Sequence, residues 1–347
     1  MKTVIIIGAG WYGCHIANIL QNNYNIIIIE KEKDIFINSS YYNQNRLHLG
    51  YHYCRDYETR SLCKNNYENF KKKYNNLIDI IDNNYYGISK ESFIDYQTYI
   101  NIYDYEKFNF CQVDNNIFIN LQNKLIKVDE QVINSDRTYN YFCEKLKNIK
   151  IIFNTKFLTY IKYGDVISIT CIDKNNNQQI YKCDILLDCT YNQAKLSKKI
   201  YNYELTISLL FKKIMNTNFG AITIMDGKFM SLYPRNIDEN IYTLTDVELT
   251  PIISSENYDD IENYILTNEK IILIKEKMIE KFMNYYDKFL EHFEYQGFFI
   301  SKKTKQKSNS DSRGIIIDEL DVNVISVNCG KIYGIFYFED YIKKKYL

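Results

Sequence analysis

The chain has 347 residues, enough for two subdomains with separate cores, and 46% hydrophobic with 25% charged residues is ordinary for a globular protein. Its 43 basic and 43 acidic side chains cancel, which removes the basic field that nucleic-acid binding needs. No apolar run reaches the roughly 18 residues of a membrane-spanning helix, so no membrane span is expected.

The N-terminus opens on a strand, leaving no room for a cleavable signal. Nine cysteines lie scattered without CxxC pairs or zinc-like spacing. An odd number of unclustered thiols suggests a reducing, cytoplasmic compartment and no metal. The 34 tyrosines, with abundant Asn, Ile and Lys, read as a genome bias rather than as chemistry.

In chain order, Thr3 to Ile7 is a run of β-formers, followed at once by Gly8-Ala9-Gly10-Trp11-Tyr12-Gly13. An apolar-periodic segment, Cys14 to Leu20, comes next, and a second β-run, Asn25 to Ile29, ends on Glu30 and Lys31. This is strand, glycine turn, helix, strand and acid in the spacing of a dinucleotide-binding βαβ unit. Gly8 serves the tight turn, Gly10 the approach of backbone to pyrophosphate, and Gly13 the packing of helix on sheet. Glu30, twenty residues after Gly10, is placed to accept hydrogen bonds from a ribose diol.

Residues 39–53 form the second dense stretch, Ser39-Ser40 through Asn45-Arg46-Leu47-His48-Leu49-Gly50-Tyr51-His52-Tyr53. It holds two of the four histidines without clear periodicity, and such polar loops are more often sites than scaffold. Helices are expected over 59–74 and 134–146, the latter capped by Ser135. Strands are expected within 111–132, at 150–153, and as an antiparallel meander over 157–163, 166–172 and 179–183. Asp184 to Asp188 reads as a buried strand that exits at Cys189-Thr190. Further strands are expected at 205–211, 221–225, 229–233 and 241–244, with a hairpin turn at Asp226-Gly227. Residues 254–294 read as helix, 295–302 as strand, 303–312 as a polar loop, 323–327 as a last strand, and 332–345 as a terminal helix.

The βαβ unit alone does not separate NAD from FAD. Three features favour FAD: the meander that interrupts the α/β alternation, the strand exit at Thr190, and Gly330-Lys331 before the terminal helix. With these pieces the sequence resembles the D-amino-acid oxidase and glycerol-3-phosphate dehydrogenase superfamily of FAD-dependent oxidoreductases. The match is carried by Gly8 to Gly13, Glu30, Ser39-Ser40 through Gly50, and Asn328-Cys329-Gly330-Lys331. The expected architecture is α/β with an α+β second domain. A discontinuous Rossmann-like FAD domain (1–75, 140–198, 308–347) is interwoven with a mixed-sheet substrate domain (76–139, 199–307).

The resemblance implies FAD contacts from Ser39, Ser40, Asn45 and His48, and from Gly330, Lys331 and Ile332. Gly8, Gly10, Trp11, Tyr12, Gly13, Glu30, Lys31, Arg46, Leu47 and Thr190 complete the candidate cofactor set. Cys189-Thr190-Tyr191 departs from the family's Ala-Thr-Gly step. The family's amino-acid-binding tyrosine and arginine cannot be placed, which puts amino-acid oxidation in doubt.

His48 and His52 are candidate catalytic bases, because imidazole titrates near neutrality. Arg46, with Arg55 and Arg60, forms the densest guanidinium cluster, suited to an anionic group. His48, His52 and Cys54 are candidates for a covalent flavin link. Tyr51, Tyr233, Arg235 and Arg313 are candidate substrate contacts.

A single glycine fingerprint leaves no second domain for a nicotinamide, which disfavours a monooxygenase fed by NADPH. The expected activity is oxidation of a small polar CH–OH or CH–NH substrate, a sugar derivative or amino acid, by hydride transfer to flavin. Oxygen or an unidentified acceptor would then take the electrons. The alternatives are a non-redox flavin or NAD isomerase or mutase, and a nucleotide-binding protein without turnover.

Overall fold

A computed structural model describes residues 1–307 and 314–347; Arg313 and residues 308–312 of the loop expected over 303–312 lie outside the described residues. The chain divides into two compact units, each built from separated segments. The first comprises Met1–Tyr41, Asp136–Asn202 and Lys303–Leu347, and the second Tyr42–Ser135 and Tyr203–Lys302.

In the first unit, a six-stranded sheet is centred on the strand Thr3–Ile7. That strand pairs in parallel with Asn25–Ile29 on one side and Ile185–Asp188 on the other. Lys150–Ile152 and Val324–Cys329 extend the parallel run outward. Ile315–Asp321 closes the far edge antiparallel to Val324–Cys329. The central strands read as almost uninterrupted Ile, Val and Leu, the pattern of parallel strands covered on both faces. One covering layer is the antiparallel meander Thr155–Tyr163, Val166–Asp173 and Gln178–Cys183. Its Phe157, Ile167, Ile169 and Cys171 bury against Ile5, Ile7, Ile29 and Leu186.

The second unit is organised on a nine-stranded mixed sheet. Asn84–Ser89 lies parallel to Ala221–Met225 and antiparallel to Leu121–Val128. The hairpin expected at Asp226-Gly227 joins Ala221–Met225 to Met230–Asn236. A small second sheet pairs Gln131–Ile133 with Arg46–Leu47 on one side and Ile78–Asp79 on the other. It is too short to announce itself by periodicity.

Residues 42–75, grouped above with the N-terminal domain, belong to this second unit. The cause is packing: Tyr51 and Cys54 bury in one cluster with Tyr86, Tyr99, Tyr103 and Met225.

The expected helix over 254–294 is instead five pieces: a strand, Pro251–Ser255, then helices Tyr258–Glu262, Asn268–Met283 and Phe289–His292, and the start of the strand Phe293–Gln306. Thr267 restarts the chain as an N-cap, its side chain accepting from Lys270 N. Pro251–Ser255 is drawn into the sheet by pairing with Tyr201–Lys213. Residues 303–306, expected as loop, continue the strand Phe293–Gln306. Ser135 is the first residue of its helix rather than the cap before it, and the terminal helix begins at Gly334.

Candidate functional site

The glycine turn of the first unit is close-packed at each of its three glycines. Gly8 has φ of +96°, and a Cβ there would lie 2.8 Å from the Cys189 carbonyl oxygen. A Cβ on Gly10 would meet Ser40 Oγ at 2.6 Å, and one on Gly13 would meet the Gly8 oxygen at 1.9 Å. Backbone thus blocks a side chain at Gly8 and Gly13, whereas at Gly10 the obstacle is the Ser40 hydroxyl. Ser40 Oγ accepts a hydrogen bond from Trp11 N (3.1 Å), at the start of the helix Trp11–Leu20. The indole of Trp11 lies edge-on to Phe36 and Phe142, so this residue's side chain is core.

Glu30 sits where Asn25–Ile29 ends, and its carboxylate accepts from Ala9 N (2.6 Å) and Glu32 N (2.9 Å). Burial raises its pKa, against the pull of those two amides. The acid and the glycine turn are therefore fixed to each other directly. Lys31 is half-buried beside it, and Ser39 lies in the 3₁₀ turn Asn38–Ser40.

At the neighbouring strand end, Asp188 accepts from Thr190 N (2.9 Å), Thr190 Oγ1 (2.7 Å) and Ser326 Oγ (2.7 Å). The carboxyl is fully buried, and burial raises its pKa. Tyr191 and Asn192 follow with φ of +59° and +58°, so the tyrosine that departs from the family's glycine does adopt a left-handed backbone. Near the other end of the chain, Tyr12 Oη donates to the Lys331 carbonyl (2.7 Å) and ties the first helix to the turn before the last. Gly330, Lys331 and Ile332 are half-exposed in that turn, ahead of the helix rather than at its first residues. His15 is core, its Nε2 2.9 Å from Glu339.

The loop of the second unit converges on a residue that no sequence motif marked, Glu130. Its carboxylate is wholly buried; Oε1 accepts from Leu49 N (2.7 Å) and Gly50 N (3.3 Å), and Oε2 from Tyr86 Oη (2.5 Å). Arg46 Nη1 lies 3.6 Å from Oε2 and donates to Tyr86 Oη (2.7 Å), while Nη2 donates to Ser231 Oγ (2.5 Å). The guanidinium stacks 3.9 Å from the centre of the Tyr233 ring. Burial raises the Glu130 pKa, opposed by Arg46, Tyr86 and the two amides.

His48 Nδ1 is 3.8 Å from Glu130 Oε1, and the ring lies 5.4 Å from both His52 and Tyr53. His52 meets Phe229 edge-on at 4.4 Å. Leu47 is buried in the short strand, and Asn45 precedes it with φ of +52° and a buried Nδ2 that finds no partner among the described residues.

Several candidate substrate contacts make hydrogen bonds within the protein. Tyr51 is 1% exposed and donates to Asn109 O (2.5 Å) within the aromatic core. Tyr233 is fully buried beneath Arg46 and donates to Gln131 O (3.0 Å). Arg235 donates to Asn43 O (2.8 Å) against the Phe299 ring. The three arginines expected as an anion cluster each face their own carboxylate: Arg46 with Glu130, Arg55 with Asp226 (2.7 Å), and Arg60 with Glu106. Burial pushes the Cys54 thiol up to about 12, far from a reactive thiolate. Glu130 and Asp188 were missed because a lone acid after or within a strand has no sequence signature. The one available hint was an acid at the end of a β-run, as at Glu30.

No family model matches the chain. Solved structures with the same architecture are a glycine oxidase from Geobacillus kaustophilus and the NikD amino acid oxidase of nikkomycin biosynthesis. The first has a TM-score of 0.71 and 8% identity, covering 96% of this chain and 91% of its own. NikD has a TM-score of 0.75 and 7% identity, covering 96% and 92%. The chain has the fold that these two structures share. In sequence, the chain is 27% identical to the FAD-dependent monooxygenase FPY4 of Fusarium mangiferae, over 97% of this chain and 89% of that protein. The FAD-dependent monooxygenase kojA of Aspergillus flavus is 25% identical over 95% and 82%.

Proposed function

We propose that the chain is an FAD-dependent oxidoreductase that oxidises a small polar substrate at a CH–OH or CH–NH carbon. The observation that carries this is the turn at Gly8, Gly10 and Gly13 with Glu30 hydrogen-bonded to Ala9 N. FAD fits these residues. The three glycines leave bare backbone for a pyrophosphate, and the start of a ten-residue helix adds its partial positive charge. Glu30 keeps acceptor capacity for a ribose diol beyond its two amide bonds. Ser39, Ser40, Thr190, Gly330, Lys331 and Ile332 of the same unit would complete the cofactor's hold.

FAD, when bound, supplies the two-electron acceptor for the substrate's hydride. His48 is the proposed base for the O–H or N–H proton, with His52 as the alternative. Arg46 has its guanidinium satisfied by Tyr86, Ser231 and Glu130, and shapes the loop rather than touching substrate.

The names of the two curated relatives favour oxygen insertion as a second reading. Anaerobic mixing of the purified flavoprotein with candidate polyols, sugar derivatives and amino acids tests both. Flavin bleaching by substrate alone supports oxidation. Turnover that requires oxygen and an added reductant, with no anaerobic bleaching, selects oxygen insertion.

A further inference from the structure

One buried carboxylate organises four residues of the loop that carries His48. Glu130 follows the strand Leu121–Val128 and immediately precedes Gln131–Ile133, whose pairing with Arg46–Leu47 fixes the loop's entry. Beyond that entry, Glu130 Oε1 holds Leu49 N and Gly50 N, and Gly50 has φ of +122°. His48 lies between these anchors, so its backbone is pinned on both sides. Its Nδ1 stands 3.8 Å from the same Oε1, an ion-pair distance rather than a hydrogen bond, with the side chain 17% exposed.

We propose that Glu130 is the positioning residue for His48: it fixes the ring, favours the tautomer with the proton on Nδ1, and leaves Nε2 as the basic atom. The inference rests on His48 being the base of the proposed oxidation. Among the described residues, the charged and titratable groups seen to face the ring include Glu130, Arg46 through its pairing with Glu130, His52 and Tyr53. Arg46 offsets only part of the acid's effect, because Glu130 Oε1 faces His48 while the guanidinium lies nearest Oε2.

Nitrogen NMR of the histidine-labelled holoenzyme tests this, with His48→Asn used only to assign the signal. In the wild type the neutral His48 ring should carry its proton on Nδ1. Glu130→Gln should lower the His48 pKa by about one unit, and Glu130→Asp should restore part of it. A wild-type ring protonated on Nε2 overturns the proposal without any variant having to fold. So does an unchanged His48 titration in folded Glu130→Gln. If the tautomer and shift are found but no substrate bleaches the flavin, the positioning stands and the functional reading fails.

Discussion

At the scale of the residue, the three glycines of the turn differ in what would meet a side chain. A methyl group at Gly13 would meet a backbone oxygen at 1.9 Å, and backbone cannot step aside as a side chain can. Gly13→Ala should therefore destabilise the protein by at least about 1–3 kcal/mol, read as a lower midpoint in urea. Gly10→Ala meets the movable Ser40 hydroxyl instead and should cost less stability while weakening FAD uptake. Equal losses at the two sites would contradict this reading. Glu30→Ala leaves the Ala9 and Glu32 amides without their acceptor. It should cost about 1–3 kcal/mol even in the protein freed of FAD. These residues were legible in the sequence because the dinucleotide motif fixes residue types at fixed spacings. Asp188 and Glu130 were not, since their partners arrive from 138 and up to 84 positions away (Ser326 and Arg46).

At the scale of the element, the pairs that decide the second unit are non-local. Arg46–Leu47 is a strand only because Gln131–Ile133 lies beside it, and no two-residue pattern predicts that. The helix expected over 254–294 failed for the same reason at its start, where Pro251–Ser255 pairs with Tyr201–Lys213. Its later part kept a genuine apolar stripe: Ile274, Met278 and Phe282 are buried in Asn268–Met283. The buried Arg46–Glu130 pair follows element-level rules as well. Arg46→Ala strands a buried carboxylate and should cost about 3–5 kcal/mol by denaturant unfolding. The double variant Arg46→Met with Glu130→Gln should cost clearly less than the sum of its single changes, because neither partner is then left charged. Strict additivity would show that the two groups do not interact.

At the scale of the whole molecule, the chain returns repeatedly to each unit, and segments from both termini share one sheet. Motif pieces at both ends of the chain and the lack of a linker led to the expectation of interwoven domains, whereas the boundary near residue 42 depends on aromatic packing that composition does not reveal. Three buried carboxyls, Glu30, Glu130 and Asp188, have pKa values raised by burial. A raised acid binds its proton more tightly in the folded state, so its contribution to stability falls as pH rises from the usual carboxylate range through the raised pKa. Lowered acids on the surface, such as Asp173 and Asp321, act oppositely and lose their contribution only below their usual values. Thermal stability of the protein freed of FAD should therefore increase on going from neutral to mildly acidic pH, and Glu130→Gln should flatten that rise. A midpoint that falls steadily over the same interval would contradict it.

The central claim is that the turn of Gly8, Gly10 and Gly13 with Glu30 holds FAD. It is tested most directly by measuring the flavin content of the purified chain after incubation with excess FAD and removal of the unbound cofactor. The account predicts one FAD per chain, lost or strongly reduced in Gly10→Ala and Glu30→Ala. A folded wild-type chain that retains no flavin would contradict it.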